Sequence, residues 1–225
     1  EDAKPSGQIS PCGNIALGNA FLAICAGFGI DVWEVIQACS TKPYGFMPFY
    51  PGPGLGGHCV PVDPFYLAWK AREKRVSTEF IELAGRVNAN MPTYVVGKAA
   101  ALLNANQKSL RGANVACIGA AYKKNSSDIR ESPAVRVMEL LVGHGARVTY
   151  HDPHVPYLTI GNELRSKPLT RAYLDAQDCL IIATDHDSVD WSLVLPYQRI
   201  TVDSRNVLAR LAPIVKTLAG EPAPA

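Results

Sequence analysis

Four short apolar runs in the second half of the chain restrict the fold most, because each has the length of a buried strand and is closed by a turn-forming residue. They span residues 114–119, 146–151, 179–183 and 199–203, and a helical pattern at 132–145 separates the first two. Strands that alternate with helices predict an α/β fold with a parallel, Rossmann-like sheet, in which ligands bind at the carboxyl ends of the strands.

The first half of the chain is dominated by helical patterns. Helices are predicted at residues 14–29, 32–39, 64–74 and 78–104, the last interrupted or kinked near Pro92. Asp31 is typical of a helix N-cap, and Glu34 completes a capping-box pattern. Proline, glycine and serine at residues 1–13 favour a loop. We therefore predict a helical unit at 1–108, followed by a Rossmann-like unit at 109–225.

The composition is that of an ordinary globular protein, with 48% hydrophobic and 19% charged residues and a net charge of +2. No long block of like charge is present, which argues against a nucleic-acid partner. Six cysteines without CxxC pairs favour a reduced, cytoplasmic protein. We expect no membrane partner, because no stretch reaches the length of a membrane span. We expect no metal site, because the histidines lack ligand spacing.

The run PGPGLGGHCVPVDP at residues 51–64 carries the most chemistry. Its glycines let backbone amides approach a ligand closely. The run delivers Cys59 to the start of a predicted helix, whose positive end favours the thiolate, although a half-buried structural cysteine is the alternative. Asp63 is placed to act on water or a substrate proton, or else to cap a helix that begins at Pro64.

Four sequence motifs, in order and spacing, resemble those of the UDP-glucose/GDP-mannose dehydrogenase family, and the resemblance covers residues 14–207. The motifs are GPGLGGHCVPVDPFYLAWKARE, GAAYKKNSSDIRESPA, IIATDH and VDSRNV. TKPYGFMPFYPGPGLGGHC and YKKN are similar to the UDP-N-acetylglucosamine 6-dehydrogenase branch. The resemblance implies a helical dimerisation domain and a UDP-binding domain. The N-terminal NAD-binding domain of the family is expected to be absent, since no GxGxxG follows a strand and Gly119 is followed by AAYKK.

This resemblance implies NAD-dependent, two-step oxidation of the C6 alcohol of a UDP-sugar, UDP-N-acetylglucosamine for the branch named, to the uronic acid. Cys59 would hold the aldehyde as a thiohemiacetal and then a thioester, and Asp63 would help to activate water. Lys4 falls in a family E-x-x-K-x-x-x-N pattern and would stabilise an oxyanion. In this chain Gln8 replaces the asparagine of that pattern, and Lys4 could equally be a solvated terminal lysine.

The resemblance also assigns the binding residues. Those for the substrate are Tyr50, Gly52, Gly54, Gly56, Tyr122, Lys123, Arg205 and Gln8, and those for the NAD cofactor are Arg130 and Gly57. Backbone amides at 50–56 would bind the sugar diphosphate, and Arg205 would bind phosphate through two parallel hydrogen bonds. A salt bridge to Asp203 is the alternative role for Arg205, and Lys124 is either a further substrate contact or solvent-facing.

Two functions are open at this point. One is a nucleotide-sugar 6-dehydrogenase that needs NAD, and the other is a catalytically inactive module that binds UDP-sugar and dimerises. A homodimer is expected in both, through the helix at 14–29 or the helix at 78–104. A cysteine hydrolase built on Cys59 has the nucleophile in its favour but no oriented base.

Overall fold

The chain forms two compact units, described here from a computed structural model. The model describes residues 3–211, with side chains from residue 7 onward. The units are Glu1–Met91, the helical unit, and Pro92–Ala225, the sheet unit. The division falls inside a long helix rather than at the expected boundary of 108/109, because the second part of that helix packs into the core of the sheet unit.

The helical unit holds α1 (Ala3–Phe28), α2 (Val32–Cys39), α3 (Asp63–Glu73) and the first part of α4 (Glu79–Ala105). Asp31 caps α2 as predicted, since its carboxylate accepts a hydrogen bond from the Trp33 N–H at 2.9 Å. The α4 helix is uninterrupted at Pro92, which lies inside it. Its packing in both units outweighs the hydrogen bond that Pro92 removes.

The prediction of a loop over residues 1–13 is wrong from Ala3 onward, where α1 begins. Pro5 lies in the first turn, whose N–H groups have no acceptor within a helix, so its missing N–H costs nothing there. Pro11 leaves the Gly7 carbonyl without its helical partner, and the exposure of Gly7 lets water take that place. Burial of Cys12 and Ala16 against Ala84 holds this part of the helix in place.

The α1 helix also corrects the expectation that no stretch is long enough to span a membrane. Gly7–Phe28 is 22 residues long with a mean hydropathy of 1.4, so by length and composition alone it passes that test. The core helix of a protein passes the same test. The sequence reading missed this segment because its glycines, serine and proline break the apolar run, although it contains no charged residue.

The sheet unit confirms the predicted α/β class. Its strands are β1 (Asn114–Ile118), β2 (Arg147–His151), β3 (Tyr157–Ile160), β4 (Asn162–Arg165), β5 (Cys179–Ile182) and β6 (Thr201–Asp203), and its helices after α4 are α5 (Pro133–Gly143) and α6 (Arg171–Asp175). Four strands form a parallel sheet in the order β2, β1, β5, β6. The antiparallel pair β3–β4 and the short α6 were not predicted, because their sequences lack an apolar run.

Strands β1 and β5 form the centre of the sheet, and both are buried along most of their length. Because all four strands are parallel, the segments that follow β1, β2, β5 and β6 lie at one edge of the sheet. Gly119 follows β1 with φ +87, and a Cβ there would lie 2.5 Å from the backbone oxygen of Thr184. Glycine at 119 therefore lets two of these segments come close together.

Candidate functional site

Cys59 lies in a tight turn just before α3. Its carbonyl oxygen accepts hydrogen bonds from the N–H groups of Val62 at 3.2 Å and Asp63 at 2.8 Å. Its side chain is half-buried, as is that of Cys39, whereas the four other cysteines are buried; all six thiols are free. The turn therefore places an accessible thiol on the N-terminal side of a helix, where the helix dipole favours a negative charge.

Asp63 is the first residue of α3, not its cap. The N-cap position is held by Val62, and no side chain caps this helix, so the capping alternative for Asp63 is wrong. The Oδ2 atom of Asp63 is buried and has no hydrogen-bond partner among residues 3–211. Buried carboxylate oxygens normally have a partner, so this atom has an unused acceptor for water or a ligand.

Two buried amides that sequence reasoning missed fix the glycine-rich loop. Asn19 on α1 is 1% exposed and Asn88 on α4 is 4% exposed. Asn88 Oδ1 accepts a hydrogen bond from Asn19 Nδ2 at 2.9 Å, and Asn19 Oδ1 accepts one from the Gly52 N–H at 3.0 Å. Asn88 Nδ2 donates to the Cys12 carbonyl at 3.0 Å. The sequence pointed to these two residues only in that each is an asparagine inside an apolar helical pattern.

This network changes the expected role of Gly52. Its N–H is already donated to Asn19, so in this structure it does not present an amide to a diphosphate. The N–H groups of Gly54 and Gly56 have no partner within the described range, and both residues are half-buried. Tyr50 is fixed differently, since its ring stacks on Trp33 with centroids 5.4 Å apart. The loop thus leaves the N–H groups of Gly54 and Gly56 available to a ligand, whereas the N–H of Gly52 binds the loop to Asn19 on α1.

The remaining predicted residues of the helical unit lie on the same loop and on α1. Gly57 is buried with φ +84, a backbone conformation that favours glycine. Gln8 is half-buried on α1. The backbone of Lys4 also lies in α1, but the Lys4 side chain and Glu1 are outside the described residues. The predicted roles of Lys4 and Gln8 therefore stay predictions.

In the sheet unit, a buried carboxylate organises the segment after β1. Asp152 follows β2 and is 2% exposed. Its Oδ2 accepts hydrogen bonds from the N–H groups of Ala120 at 2.6 Å and Ala121 at 3.0 Å, and lies 3.0 Å from Nε2 of the fully buried His186. Its Oδ1 accepts from the N–H groups of His154 and Val155. Three strand ends are thereby tied together.

The ionisation of Asp152 follows from this set of donors. Burial by itself raises the pKa of the carboxyl, but the hydrogen bonds from His186 and from the backbone of Ala120, His154 and Ala121 outweigh burial and lower the pKa to about 2. Asp152 is therefore a buried carboxylate whose charge is balanced by hydrogen bonds, not by a cationic side chain. The sequence analysis had assigned it no role.

Tyr122 and Lys123 lie on the segment that Asp152 holds. The Tyr122 N–H donates to the Asp128 carbonyl at 2.9 Å, and the exposed Lys123 amino group lies 5.5 Å from the centroid of the Tyr122 ring. Lys124 forms an ion pair with Asp187 at 2.6 Å. The aromatic ring and one cation are thus presented at the carboxyl edge of the sheet, where the sequence predicted a nucleotide contact.

The two predicted arginines have different surroundings. Arg130 is exposed, and Asp128 accepts hydrogen bonds from its Nε at 3.0 Å and its Nη2 at 2.6 Å. This pairing lowers the pKa of Asp128 to about 2. Arg205 donates from Nε to the Ala183 carbonyl at 2.8 Å.

The expected alternative for Arg205, an ion pair with Asp203, does not form. The Asp203 carboxylate instead accepts backbone hydrogen bonds from Arg205 and Leu208. Within residues 7–211, neither terminal nitrogen of the Arg205 guanidinium makes a hydrogen bond. Burial lowers the pKa of Arg205, while the charges of Asp185 and Asp203 raise it. The group is a half-buried cation whose two terminal nitrogens are free to donate, which suits a phosphate.

The chain thus combines a helical unit that carries an accessible thiol with a Rossmann-like unit that presents cations at the carboxyl edge of its sheet. The comparisons agree. The chain belongs to the UDP-glucose/GDP-mannose dehydrogenase family: the model of the family's central domain matches residues 10–90, and that of its UDP binding domain matches residues 116–210. The resemblance noted from the sequence motifs is thereby confirmed.

The chain is similar to nucleotide-sugar dehydrogenases of several kinds. A UDP-N-acetyl-D-mannosamine dehydrogenase of Methanococcus maripaludis is 33% identical over 203 residues, which are 87% of this chain and 45% of the relative. The structure of the UDP-D-ManNAc dehydrogenase from Pyrococcus horikoshii superimposes with a TM-score of 0.77 at 30% identity, over 91% of this chain and 47% of that one. An NDP-N-acetyl-D-galactosaminuronic acid dehydrogenase from Methanosarcina mazei gives 0.79 at 27% identity, over 91% and 46%.

The chain thus spans about half the length of the relatives it matches. No group of three or more metal-ligating side chains that could hold a metal ion occurs in the part of the chain that the structure describes.

Proposed function

We propose that this chain carries the thiol and the nucleotide-binding part of an NAD-dependent nucleotide-sugar 6-dehydrogenase, which oxidises the C6 alcohol of a UDP-N-acetylhexosamine to the uronic acid. The observation that carries this proposal is the accessible Cys59 thiol together with the unpartnered Oδ2 of Asp63, at one end of α3 in a unit that matches the family's central domain. A thiol alone would fit many functions, but a thiol with a free carboxylate acceptor fits aldehyde capture and thioester hydrolysis.

The reaction divides into two oxidations. The alcohol first loses a hydride from C6 and a proton from its oxygen. The Sγ thiolate of Cys59 then adds to the aldehyde carbon, and the resulting thiohemiacetal loses a second hydride to become a thioester. Water attacks the thioester carbonyl, Asp63 Oδ2 accepts the proton of that water, and cleavage of the C–S bond returns the thiolate.

NAD supplies the hydride acceptor for both oxidations when it is bound. The residues of this chain fit a supporting role toward it. Arg130 presents an exposed guanidinium that Asp128 orients, which suits a phosphate oxygen. The segment after β1 reads GAAYKK and is held by Asp152, so it does not form the glycine-rich turn that binds a dinucleotide pyrophosphate.

The sheet unit would bind the UDP moiety. Arg205 has two unused donors for a phosphate oxygen, Lys123 adds a mobile positive charge, and the Tyr122 ring provides an apolar face. In the helical unit, the free N–H groups of Gly54 and Gly56 would bind the sugar diphosphate. Gly52 has a structural role in this proposal, because its N–H belongs to Asn19.

The sugar is an N-acetylhexosamine in this proposal. The sequence motifs favour UDP-N-acetylglucosamine, whereas two of the relatives reported above are named for UDP-N-acetylmannosamine. These two sugars differ only in the configuration at C2, so the two nucleotide sugars are tested in parallel.

A homodimer through α1 is part of the proposal. Four large apolar side chains on α1 are between 44% and 77% exposed: Leu17, Phe21, Ile24 and Phe28. On α4, Phe80 and Leu83 are 68% and 50% exposed. Exposed apolar area of this kind is typical of a subunit interface. Cytoplasmic location is also proposed, since all six cysteines are free thiols.

The second candidate is a catalytically inactive module that binds UDP-sugar, because the segment after β1 does not form a glycine-rich dinucleotide-binding turn. One experiment separates the two. The chain is mixed with NAD and either UDP-N-acetylhexosamine, NADH is followed by absorbance, and calorimetry with the same sugars runs in parallel. NADH formation supports the enzyme, binding without NADH supports the module, and absence of binding contradicts both.

Selective alkylation tests the thiol. Cys59 and Cys39 are the two half-buried cysteines. If Cys59 is activated, iodoacetamide near neutral pH should modify Cys59 faster than Cys39, and the Cys59→Ser variant should lose the fast modification. Cys39→Ser is the matched control and should keep it. Equal labelling of both cysteines, measured by peptide mass spectrometry, would contradict an activated Cys59.

A further inference from the structure

The segment after β1 is fastened at both of its ends by one buried pair. At its start, Asp152 Oδ2 accepts the N–H groups of Ala120 and Ala121. At its end, Nδ1 of His186 lies 3.0 Å from the Asn125 nitrogen. Tyr122 and Lys123, the proposed nucleotide contacts, lie between these two attachment points. The pair therefore controls where both side chains are presented.

The two bonds of His186 determine its tautomer. A backbone N–H can only donate, so Nδ1 must be the bare nitrogen that accepts from Asn125. Asp152 is ionised and can only accept, so Nε2 carries the proton and donates to Oδ2 at 3.0 Å. A neutral imidazole with its proton on Nε2 satisfies both partners at once. An imidazolium would turn a second N–H toward the Asn125 N–H and break the attachment.

The surroundings of His186 hold its ring in one orientation. The residue is fully buried, its carbonyl accepts a hydrogen bond from Trp191 Nε1 at 3.1 Å, and the His154 ring lies 4.8 Å away. Asn125 is also tied to the segment after β5, since its Oδ1 accepts the Asp187 N–H at 3.0 Å and its Nδ2 donates to the Asp187 carboxylate at 2.6 Å. The end of the segment thus has few alternative positions.

We propose that His186 and Asp152 are positioning residues for nucleotide binding, which hold residues 120–125 in the shape that presents Tyr122 and Lys123 to a nucleoside diphosphate. This inference rests on the proposed function, since it deepens the role of the sheet unit in that function. Neither residue touches the nucleotide in this proposal. His186 acts through the Asn125 N–H, and Asp152 acts through the N–H groups of Ala120 and Ala121.

Two isosteric substitutions separate positioning from stability. The amide oxygen of His186→Asn can replace Nδ1 and accept from Asn125, but this variant loses the bond to Asp152. The amide of His186→Gln can replace Nε2 and donate to Asp152, but it leaves the Asn125 N–H without an acceptor. Each variant loses one buried hydrogen bond, so both should unfold at lower urea concentration than the natural chain.

The nucleotide affinity should differ between them. Calorimetry with UDP should give a dissociation constant for His186→Asn within about threefold of the natural chain, and about tenfold weaker binding for His186→Gln. Tyr150→Phe is the matched control, because it loses a buried hydrogen bond to Val155 in the same unit without touching residues 120–125. It should lower the stability and leave the affinity unchanged.

Amide hydrogen exchange of Asn125, measured without nucleotide, should be faster in His186→Gln and unchanged in His186→Asn. Equal affinities for both histidine variants, or an affinity that falls in step with stability in all three variants, would overturn the positioning role while leaving the proposed function in place. Absence of UDP binding by the natural chain would overturn the proposed function and this inference with it.

Discussion

The helical unit and the sheet unit hold their candidate site segments by different chemistry. In the helical unit, the glycine-rich loop is held by the neutral amides of Asn19 and Asn88. In the sheet unit, the segment after β1 is held by an ionised carboxylate, Asp152, and an imidazole, His186. Both pairs are buried, so both must satisfy every polar atom. Only the second pair depends on ionisation, which makes the sheet unit the one whose site should respond to pH.

The two units also differ in how completely they bury their apolar side chains. The sheet unit has two apolar clusters, one on each face of its sheet, and its central strands are buried apart from Asn114 at the start of β1. The buried cluster between α1 and α4 is small, and Leu17, Phe21, Ile24 and Phe28 on α1 are between 44% and 77% exposed. If α1 forms the proposed subunit interface, the helical unit should gain more stability from a partner surface than the sheet unit does.

A core substitution and a surface substitution should separate the units most strongly. Ile181→Ala on β5 removes a fully buried side chain and should lower the free energy of unfolding of the sheet unit by about 3–4 kcal/mol. Leu17→Ala on α1, where Leu17 is 56% exposed, should change the free energy of unfolding of the helical unit by less than about 0.5 kcal/mol. Urea unfolding followed by the fluorescence of Trp191 reports the sheet unit.

The same Leu17→Ala variant tests the dimer. It should weaken dimerisation, because the side chain lies on the exposed apolar face of α1. Light scattering at a series of protein concentrations measures the effect. A natural chain that is monomeric throughout the series would contradict the proposed interface.

Loss of the buried amide network should have the next largest effect. Asn88→Ala leaves Asn19 Nδ2 and the Cys12 carbonyl without their partner and should cost the helical unit about 2 kcal/mol. The exposed Asn90 on the same helix is the control, and Asn90→Ala should be close to neutral. Hydrogen exchange should become faster at the Gly52 amide in Asn88→Ala. An unchanged rate there would show that the network does not hold the loop.

Acid should weaken the sheet unit more than the helical unit. The carboxyls with lowered pKa are Asp128, Asp152, Asp178 and Asp187 in the sheet unit and Glu82 in the helical unit. A lowered pKa in the folded state gives stability that is present above the unfolded pKa of about 3.9 and lost as pH falls toward the folded value. For Asp152, with a folded pKa of about 2, the loss is about 2 kcal/mol.

Asp203 acts in the opposite direction, because burial raises its pKa. It is one carboxyl with a raised pKa against four with a lowered pKa in the same unit, so the net effect of acid on the sheet unit should remain destabilising. Urea titrations at pH 6, 4 and 2.5 measure the effect. A variant with Trp33→Phe and Trp69→Phe reports the sheet unit through Trp191, and the Trp191→Phe variant reports the helical unit through Trp33 and Trp69. The Asp152→Asn variant should show a flatter dependence. Equal acid sensitivity of both units would contradict the comparison.

The sequence predicted the elements better than the contacts between them. All four strands of the parallel sheet were predicted because each is a short apolar run with a clear end, and Cys59 and Arg205 were singled out by their motifs. The helix at residues 3–13 was missed because prolines and glycine outweighed packing that local patterns do not contain. The boundary between the units was misplaced because one continuous helix, α4, belongs to both.

The groups that hold the site were out of reach of the sequence for the same reason. Asn19 and Asn88 are 69 residues apart, and Asp152 and His186 are 34 residues apart, so nothing local pairs them. The occupied amide of Gly52 follows from that pairing. A motif identifies which residue types a reaction needs, whereas the hydrogen bonds that position them are set by the tertiary fold.

The central claim is that the carboxyl edge of the sheet unit binds a nucleoside diphosphate through Arg205. Calorimetric titration of UDP into the natural chain and into Arg205→Lys tests it most directly, since lysine keeps the charge and loses the paired donors. We expect saturable binding by the natural chain and a dissociation constant about tenfold larger for the variant. Equal affinity of the two proteins, or no binding by the natural chain, would contradict it.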